Sequence, residues 1–405
     1  MDIRPILSTL LRHKTAAALI VLEIALSCAI VCNALFLISG RLERIREPSG
    51  IVENELVRVQ VAGIGVDDNA AAVSRSDLAV LRALPGVKSA TLVNQVPFVN
   101  SSWNTGVSLK PDQPNPTLNA TMYMVEDHFI DTFGLKIVAG RAFNADDFVD
   151  WAENGNPEFS SIIITRSMAE RLFPGESAVG KTIYPSNDPV RIVGIVDHLV
   201  RPSEQGGPVA HEFTMLMPIR VHYNLGGSYV LRSEPGRRAD VLKAAMSALE
   251  KNAPNRLIML ENSKTFSELR DEYYRDDRAM AWLLISVIVA LLVVTALGIV
   301  GLASFWVQQR TRQIGVRRAL GATRGQILRY FQTENFILAG IGIALGMLMA
   351  YGINQLLMSY YELPRLPANY LPIGAFSLWL LGQIAVYGPA RRAAAVPPAT
   401  ATRSA

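Results

Sequence analysis

The sequence predicts an α-helical membrane protein with four transmembrane helices plus a large α/β domain outside the bilayer, in which a split βαβ subdomain holds an inserted second subdomain. Three observations carry this. Half of the 405 residues are apolar and only 18% are charged, a balance suited to a chain that is part membrane and part soluble. Four apolar runs, about 15–40, 279–307, 336–358 and 370–388, approach or exceed the ~20 residues that cross a hydrocarbon core. Between the first two runs, residues 41–278 return to a mixed composition with strand and helix patterns.

The first run follows a short basic segment, 1–14, with Arg4, Arg12, His13 and Lys14. Its apolar stretch is longer than the ~7–15 residues of a signal-peptide core, so it reads as an uncleaved anchor. The only cysteines, Cys28 and Cys32, lie within it at i and i+4. That spacing suits a disulfide poorly, and a cysteine-ligated metal site is excluded.

In the region outside the membrane, 56–61, 76–84 and 87–96 read as strand, helix and strand, and so do 228–233, 238–252 and 256–262. Two such units far apart in sequence can pair into one split sandwich, 56–98 with 228–262, leaving 99–227 as the inserted subdomain. Residues 262–280 keep Phe266, Leu269 and Tyr273 at i, i+3 and i+7, one apolar helix stripe. Run on into the second span, this segment would form a helix of about 45 residues, roughly 65 Å long. Such a helix serves equally as a rigid spacer or as a carrier of movement.

The loop 308–333, QQRTRQIGVRRALGATRGQILRYFQT, holds Arg310, Arg312, Arg317, Arg318, Arg324 and Arg329 and no acidic residue. A Lys/Arg excess in a short loop between spans marks the cytoplasmic side. The N-terminus and the tail 389–405, with Arg391 and Arg392, are basic too, whereas 359–369 sets Arg365 against Glu362 and lies outside. Trp282, Trp306, Tyr360, Tyr361, Tyr370 and Tyr387 fall near span ends, where an aromatic belt forms. The weakest span is the fourth, with Pro372 near its start, where a helix tolerates proline best. The net charge of +4 arises from these flanking arginines and implies no nucleic-acid partner.

Over QQRTRQIGVRRALGATRGQIL the chain resembles the FtsX-type permease family, and its MacB-like branch in particular. That family reads RxxEIGxxRAxGAxxxxI after the second span. Ile314, Gly315, Arg318, Ala319, Gly321, Ala322 and Ile327 match, while Gln313 stands where Glu is common. Residues 389–394, PARRAA, with Pro398 resemble the family's ending, although Thr402 replaces a usual leucine. LRALPGV (81–87), FGLKIVAGRAF (133–143), RLFPGESAVGKTI (171–183) and VRIVGIV (190–196) resemble the MacB-like core, and the FtsX-like region covers about 279–398.

The resemblance implies a permease subunit of an ABC transporter in a bacterial inner membrane, both termini cytoplasmic and 41–278 periplasmic. ATP hydrolysis by a cytoplasmic ABC ATPase would drive movement of the periplasmic domain, a mechanotransmission that exports or effluxes substrate. The coupling helix that docks on the ATPase would include Ile314, Gly315, Arg317, Arg318, Ala319, Leu320, Gly321 and Ala322. Charge alone also fits a plain positive-inside loop. Relatives with a fused ATPase carry it ahead of the first span, and with fourteen residues there a motor on a separate polypeptide is expected. The chain would then contain no ATPase site and no cofactor, ATP being bound by the partner subunit. Further implied partners are a second permease chain, identical or paralogous, membrane lipids, a periplasmic adaptor and an outer-membrane channel. The alternative within the family is a signalling permease that controls cell-wall hydrolases or senses antimicrobial peptides.

Residues 175–182, GESAVGKT, match the phosphate-binding P-loop pattern. A working P-loop follows a strand and opens a helix, so that backbone N–H groups cradle phosphate. Here a helical pattern, 167–173, precedes and a strand pattern follows, which argues against nucleotide binding. The five histidines, His13, His128, His198, His211 and His222, form no metal spacing, and His198 beside Asp197 reads as facing the opposite side of a strand. No catalytic grouping emerges. Glu23, inside the first span, is a possible intramembrane polar site, read either as a contact in a transport or dimer seam or as an aid to helix assembly. Asn33 lies on roughly the opposite face of that span. Gly340, Gly342, Gly346 and Gly352 permit close helix packing in the third.

Overall fold

The computed structural model describes residues 14–65, 67–151, 157–185, 188–203, 212–361 and 365–397. Residues 1–13, His211, Glu362, Pro398 and Thr402, which entered the sequence reading, lie outside these. The chain forms two compact units, 47–275 and the remainder.

Helix α1 spans Lys14–Arg46, and the chain then enters the outer domain. There β1 (Leu56–Gly63), α2 (Ala70–Arg82) and β2 (Val87–Val93) come first. They are followed by β3 (Asn104–Ser108), β4 (Leu118–Met124), α3 (Phe129–Phe133), β5 (Ile137–Gly140) and β6 (Val149–Asp150). Next are β7 (Ser161–Thr165), α4 (Arg166–Leu172), β8 (Thr182–Pro185), β9 (Val190–Val196), β10 (Thr214–Met217) and β11 (Ile219–Arg220). The domain ends with β12 (Ser228–Ser233), α5 (Arg238–Asn252), β13 (Arg256–Ile258), β14 (Lys264–Thr265) and α6 (Phe266–Tyr273).

One sheet runs β13-β1-β12-β2, with β14 also on β1, and every pairing in it is antiparallel. Strand β12 therefore lies between β1 and β2, so the two strand–helix segments interleave rather than sit side by side. Helices α2 and α5 bury Leu78, Leu81, Val241, Ala245 and Leu249. Asp77 of α2, fully buried, accepts from Arg256 Nη2 at 2.6 Å, from Asn252 Nδ2 of α5 at 2.8 Å and from the Tyr229 hydroxyl. A buried carboxylate is tolerated only when paired and hydrogen-bonded in this way.

The second sheet, drawn from the chain between β2 and β12, runs β5-β9-β7-β10-β4-β3-β8. Strand β8 pairs again with β9, so six of these strands close into a ring around Ile162, Ile164, Ile183, Val190 and Ile192. Closure removes the sheet edges that otherwise invite pairing with another chain.

Helix α6 begins with a reciprocal cap: Thr265 Oγ1 accepts from Glu268 N at 3.3 Å, and Glu268 Oε2 accepts from Thr265 N at 2.9 Å. The expected continuous helix of about 45 residues is not formed. Helix α6 stops at Tyr273, and α7 (Arg275–Gln309) starts after Tyr274, whose ψ of 12° leaves the helical range. Tyr274 is buried against Phe98, with ring centroids 6.1 Å apart, and Arg270 lies over both rings. Those aromatic contacts hold the break that the apolar stripe alone does not signal.

Among the described residues, four helices are long and apolar enough to cross a membrane: α1, α7, α9 (Arg324–Tyr361) and α10 (Tyr370–Ala395). Pro372 falls in the first turn of α10. Asp276 and Asp277 sit in the first turn of α7, where carboxylates complement the helix dipole, and Asp277 pairs with Arg41 and Arg44 of α1. The packing of α1 on α9 is close. A Cβ at Gly346 would meet Cys28 Cβ at 2.5 Å and the Ala25 carbonyl oxygen at 2.6 Å, and one at Gly342 would meet Ile24 at 2.9 Å. Gly340 and Gly352 face open space, so two of the four glycines serve this contact. Asn33 Nδ2 donates to the Ala350 carbonyl at 3.1 Å across the same pair of helices.

Candidate functional site

The arginine-rich loop is mostly helical. It holds α8 (Thr311–Ala319), and α9 begins at Arg324, well before its apolar run. Hydropathy marks where a bilayer would be, not where a helix starts. Helix α8 stops at Gly321, whose φ of +97° favours glycine; Gly321 N donates to Arg318 O and Ala322 N to Arg317 O. Thr323 and Gln326 then cap α9 reciprocally: Thr323 N donates to Gln326 Oε1 at 2.9 Å, and Gln326 N to Thr323 Oγ1 at 3.3 Å. The run GATRGQ is thus a helix stop followed by a helix start.

Helix α8 has two faces. Ile314 and Gly315 are buried, Ile314 among Val307, Ile327, Phe331, Ala390, Ala393 and Ala394. Arg318, half-buried, donates to the Val396 carbonyl beyond the end of α10. On the other face Leu320 is 84% exposed and Val316 46% exposed, beside exposed Arg312, Arg317 and Ala319. Arg317 lies over the Tyr330 ring, 4.9 Å from its centroid. The candidate residues therefore divide: Ile314, Gly315, Arg318 and Ala322 turn toward their own bundle, while Arg317, Ala319, Leu320 and Gly321 stand at the surface.

The first of the six arginines is not a surface charge. Arg310 is 6% exposed and donates to both carboxylate oxygens of Glu334 on α9, at 3.0 and 2.9 Å, with Glu334 1% exposed. Trp306, counted from sequence as an interfacial aromatic, is buried one turn below Arg310 and takes its guanidinium over the ring at 5.5 Å. Sequence reasoning missed Glu334. Its one signal was an acid directly ahead of an apolar run, facing a loop otherwise without acids.

Glu23 is half-buried on α1 and faces α7, where a Cβ at Gly298 would meet both of its carboxylate oxygens at 2.5 Å. One turn on, Ser27 Oγ lies 2.8 Å from Thr295 Oγ1. Together these form a polar seam between the two helices, 23 and 27 against 298 and 295.

The GESAVGKT run follows α4 and precedes β8, a helix–turn–strand order. Lys181, the residue that would reach phosphate, is engaged by Glu176 of the same turn and lies over the Phe173 ring at 4.6 Å. Asp197 and His198 do come together, contrary to the strand argument, with His198 Nε2 3.6 Å from Asp197 Oδ1 and its Nδ1 3.5 Å from Glu212. Strand β9 ends at Val196, so alternation no longer applies there.

Compared with known families, residues 17–249 match the MacB-like periplasmic core domain and residues 285–398 the FtsX-like permease C-terminal region. The chain belongs to the MacB-like, FtsX-type permeases. It is 27% identical to the macrolide export ATP-binding/permease protein MacB of Agrobacterium fabrum over 95% of its length, spanning 58% of that relative. It is 25% identical to the ABC transporter permease YknZ of Bacillus subtilis over 99% of its length and 98% of that protein's. The crystallised extracellular domain of a YknZ transporter from Gram-positive bacteria aligns with 50% of the chain at 17% identity and a TM-score of 0.33. The family matches and the four apolar helices make this chain a membrane-embedded permease of ABC type with a periplasmic core domain.

Proposed function

We propose that this permease is the membrane subunit of an exporter driven by an ABC ATPase on a separate polypeptide, and that α8 is the element the ATPase grips. The observation that carries the reading is the division of α8 into a braced inner face and an apolar outer tip. An 84% exposed leucine at a helix end flanked by arginines has the composition of an interface anchor, an apolar centre with a charged rim. The inner face transmits force because Ile314 and Arg318 tie α8 to α10, and Arg310 ties its entry to α9. The arginine excess of the loop and tail supports a cytoplasmic position for this end of the bundle. ATP-driven closure of two such motors on a permease dimer would then move the periplasmic domains, with export completed through an adaptor and an outer-membrane channel.

The test is affinity purification of the tagged permease from native membranes, with Leu320→Asp beside the wild type. Co-purification of an ABC ATPase with the wild type and a loss of about tenfold or more with the variant is expected, in the range of an interface hot spot. Equal recovery of the ATPase by both chains overturns the assignment of α8.

A further inference from the structure

The periplasmic domain contains a cavity of about 270 Å³ at the ring of strands formed by the second sheet. Trp103, Trp151, Phe159, Met124 and Met217 line it, and Asp188 is the sole ionisable residue among the described side chains around it. Small-molecule sites are concave, largely apolar and aromatic, and carry a few placed polar groups, and they favour the mouths of β-barrels. This cavity has each of those features.

The walls are held before any ligand arrives. Trp103 N donates to Gln95 Oε1 at 2.8 Å, while its carbonyl accepts from Met122 N at 2.9 Å. Gln95 Nε2 in turn donates to the Met122 carbonyl at 2.6 Å. Trp151 N donates to the Arg220 carbonyl at 2.9 Å. Yet Trp103 as a residue is 37% exposed, a large aromatic side chain left partly uncovered on a fixed backbone. Flexible thioethers beside rigid indoles let such a pocket adapt to ligands of differing shape.

Among the described residues, the ionisable groups at the cavity wall are acidic in balance, and a cation close behind it, Arg201, is turned onto Asn104 and Thr121. Arg220, next to Ile219 of the lining, is engaged by Asp127 at 3.2 Å and Asp150 at 3.8 Å, so this group of three is net negative. Arg201 is 2% exposed and does not line the cavity; its Nη2 donates to Asn104 Oδ1 at 2.6 Å. Aromatic faces attract cations through their quadrupole.

We propose that this cavity binds a lipophilic organic cation, its ring system stacked against Trp103 and Trp151 and its charge set toward Asp188. Binding needs no nucleotide, so the proposal stands or falls separately from the docking role of α8.

The test uses the full-length permease in detergent, titrated by fluorescence polarisation with rhodamine 6G, a cationic xanthene, and with fluorescein, its anionic counterpart. Saturable binding of rhodamine 6G is expected, with fluorescein at least tenfold weaker. Trp151→Ala should weaken the cation by about tenfold, and Asp188→Asn should narrow the gap between the two dyes. Trp151→Phe keeps an aromatic face and should bind within about threefold of wild type, which separates loss of the ring from loss of fold. Equal affinity for both dyes, binding no greater than to empty micelles, or indifference to both Trp151→Ala and Asp188→Asn would each overturn the proposal.

Discussion

Arg310 donates through Nη1 to both carboxylate oxygens of Glu334, at 3.0 and 2.9 Å, and neither residue is more than 6% exposed. The pair joins the end of α7 to α9 where α8 departs, so α8 hangs from a buried charge contact. Removing Glu334 leaves the Arg310 charge buried without its carboxylate, at a cost of about 3–5 kcal/mol, whereas replacing both residues by apolar ones is often near neutral. Glu334→Ala should therefore lower the melting temperature in detergent markedly, and Arg310→Leu with Glu334→Leu should recover most of the loss. Equal melting of the single and double variants would remove the pair from the account of stability.

Gly346 and Gly340 lie on one helix and predict opposite outcomes. Alanine at Gly346 places a Cβ 2.6 Å from the Ala25 carbonyl oxygen, a backbone atom that cannot step aside, so α1 and α9 must separate. A loss of about 1–3 kcal/mol is expected, as for other overpacked interiors. Gly340→Ala meets nothing within 4 Å and should leave stability unchanged. Thermal unfolding of the two purified variants decides this, and similar behaviour would contradict the packing described.

Glu126 gives the periplasmic domain a pH signature. Burial pushes its carboxyl up to about 7 from an ordinary value of 4.5, against the opposing pull of Arg82. A carboxyl that binds its proton more tightly folded than unfolded supports the fold below about pH 4.5, and that support fades as pH rises through 7. At pH 8 the cost is of order 3 kcal/mol. Glu126→Gln should be more stable than wild type at pH 8 and about equal to it near pH 4.5. Parallel stability curves for the two proteins from pH 5 to 8 would show that Glu126 is already ionised at low pH.

Arg317 and Arg318 are neighbours with different tasks. Arg317 lies exposed over Tyr330, and Arg318 holds the Val396 carbonyl. Arg317→Glu should leave insertion and melting unchanged while lowering permease-stimulated ATPase activity severalfold, because it reverses a charge on the rim proposed to dock the ATPase. Arg318→Ala should lower both. Reversed results would place the docking face on the other side of α8.

The four apolar runs and the strand and helix patterns at 56–96 and 228–262 were legible because burial in a bilayer or a sheet imposes its period on the residues. The turn at 320–323 was legible in principle as well, since Gly321 and the Thr323–Gln326 pair are local backbone devices. The break at Tyr274 was not, because it depends on Phe98, far away in sequence. Likewise Glu23 was visible as a costly residue in a span, but its neighbour Gly298 was not, and Glu334 lacked any sequence pattern that joined it to Arg310.

The sequence by itself determined the membrane plan, the α/β character of the outer domain and the family, because these rest on composition, period and local motif. Only the tertiary structure decided which arginine is buried, which two glycines admit α1, which face of α8 is exposed and where aromatic rings gather into a cavity. Each of these depends on side chains distant in sequence that meet only when helices pack and strands close, and short-range pattern carries no record of such meetings.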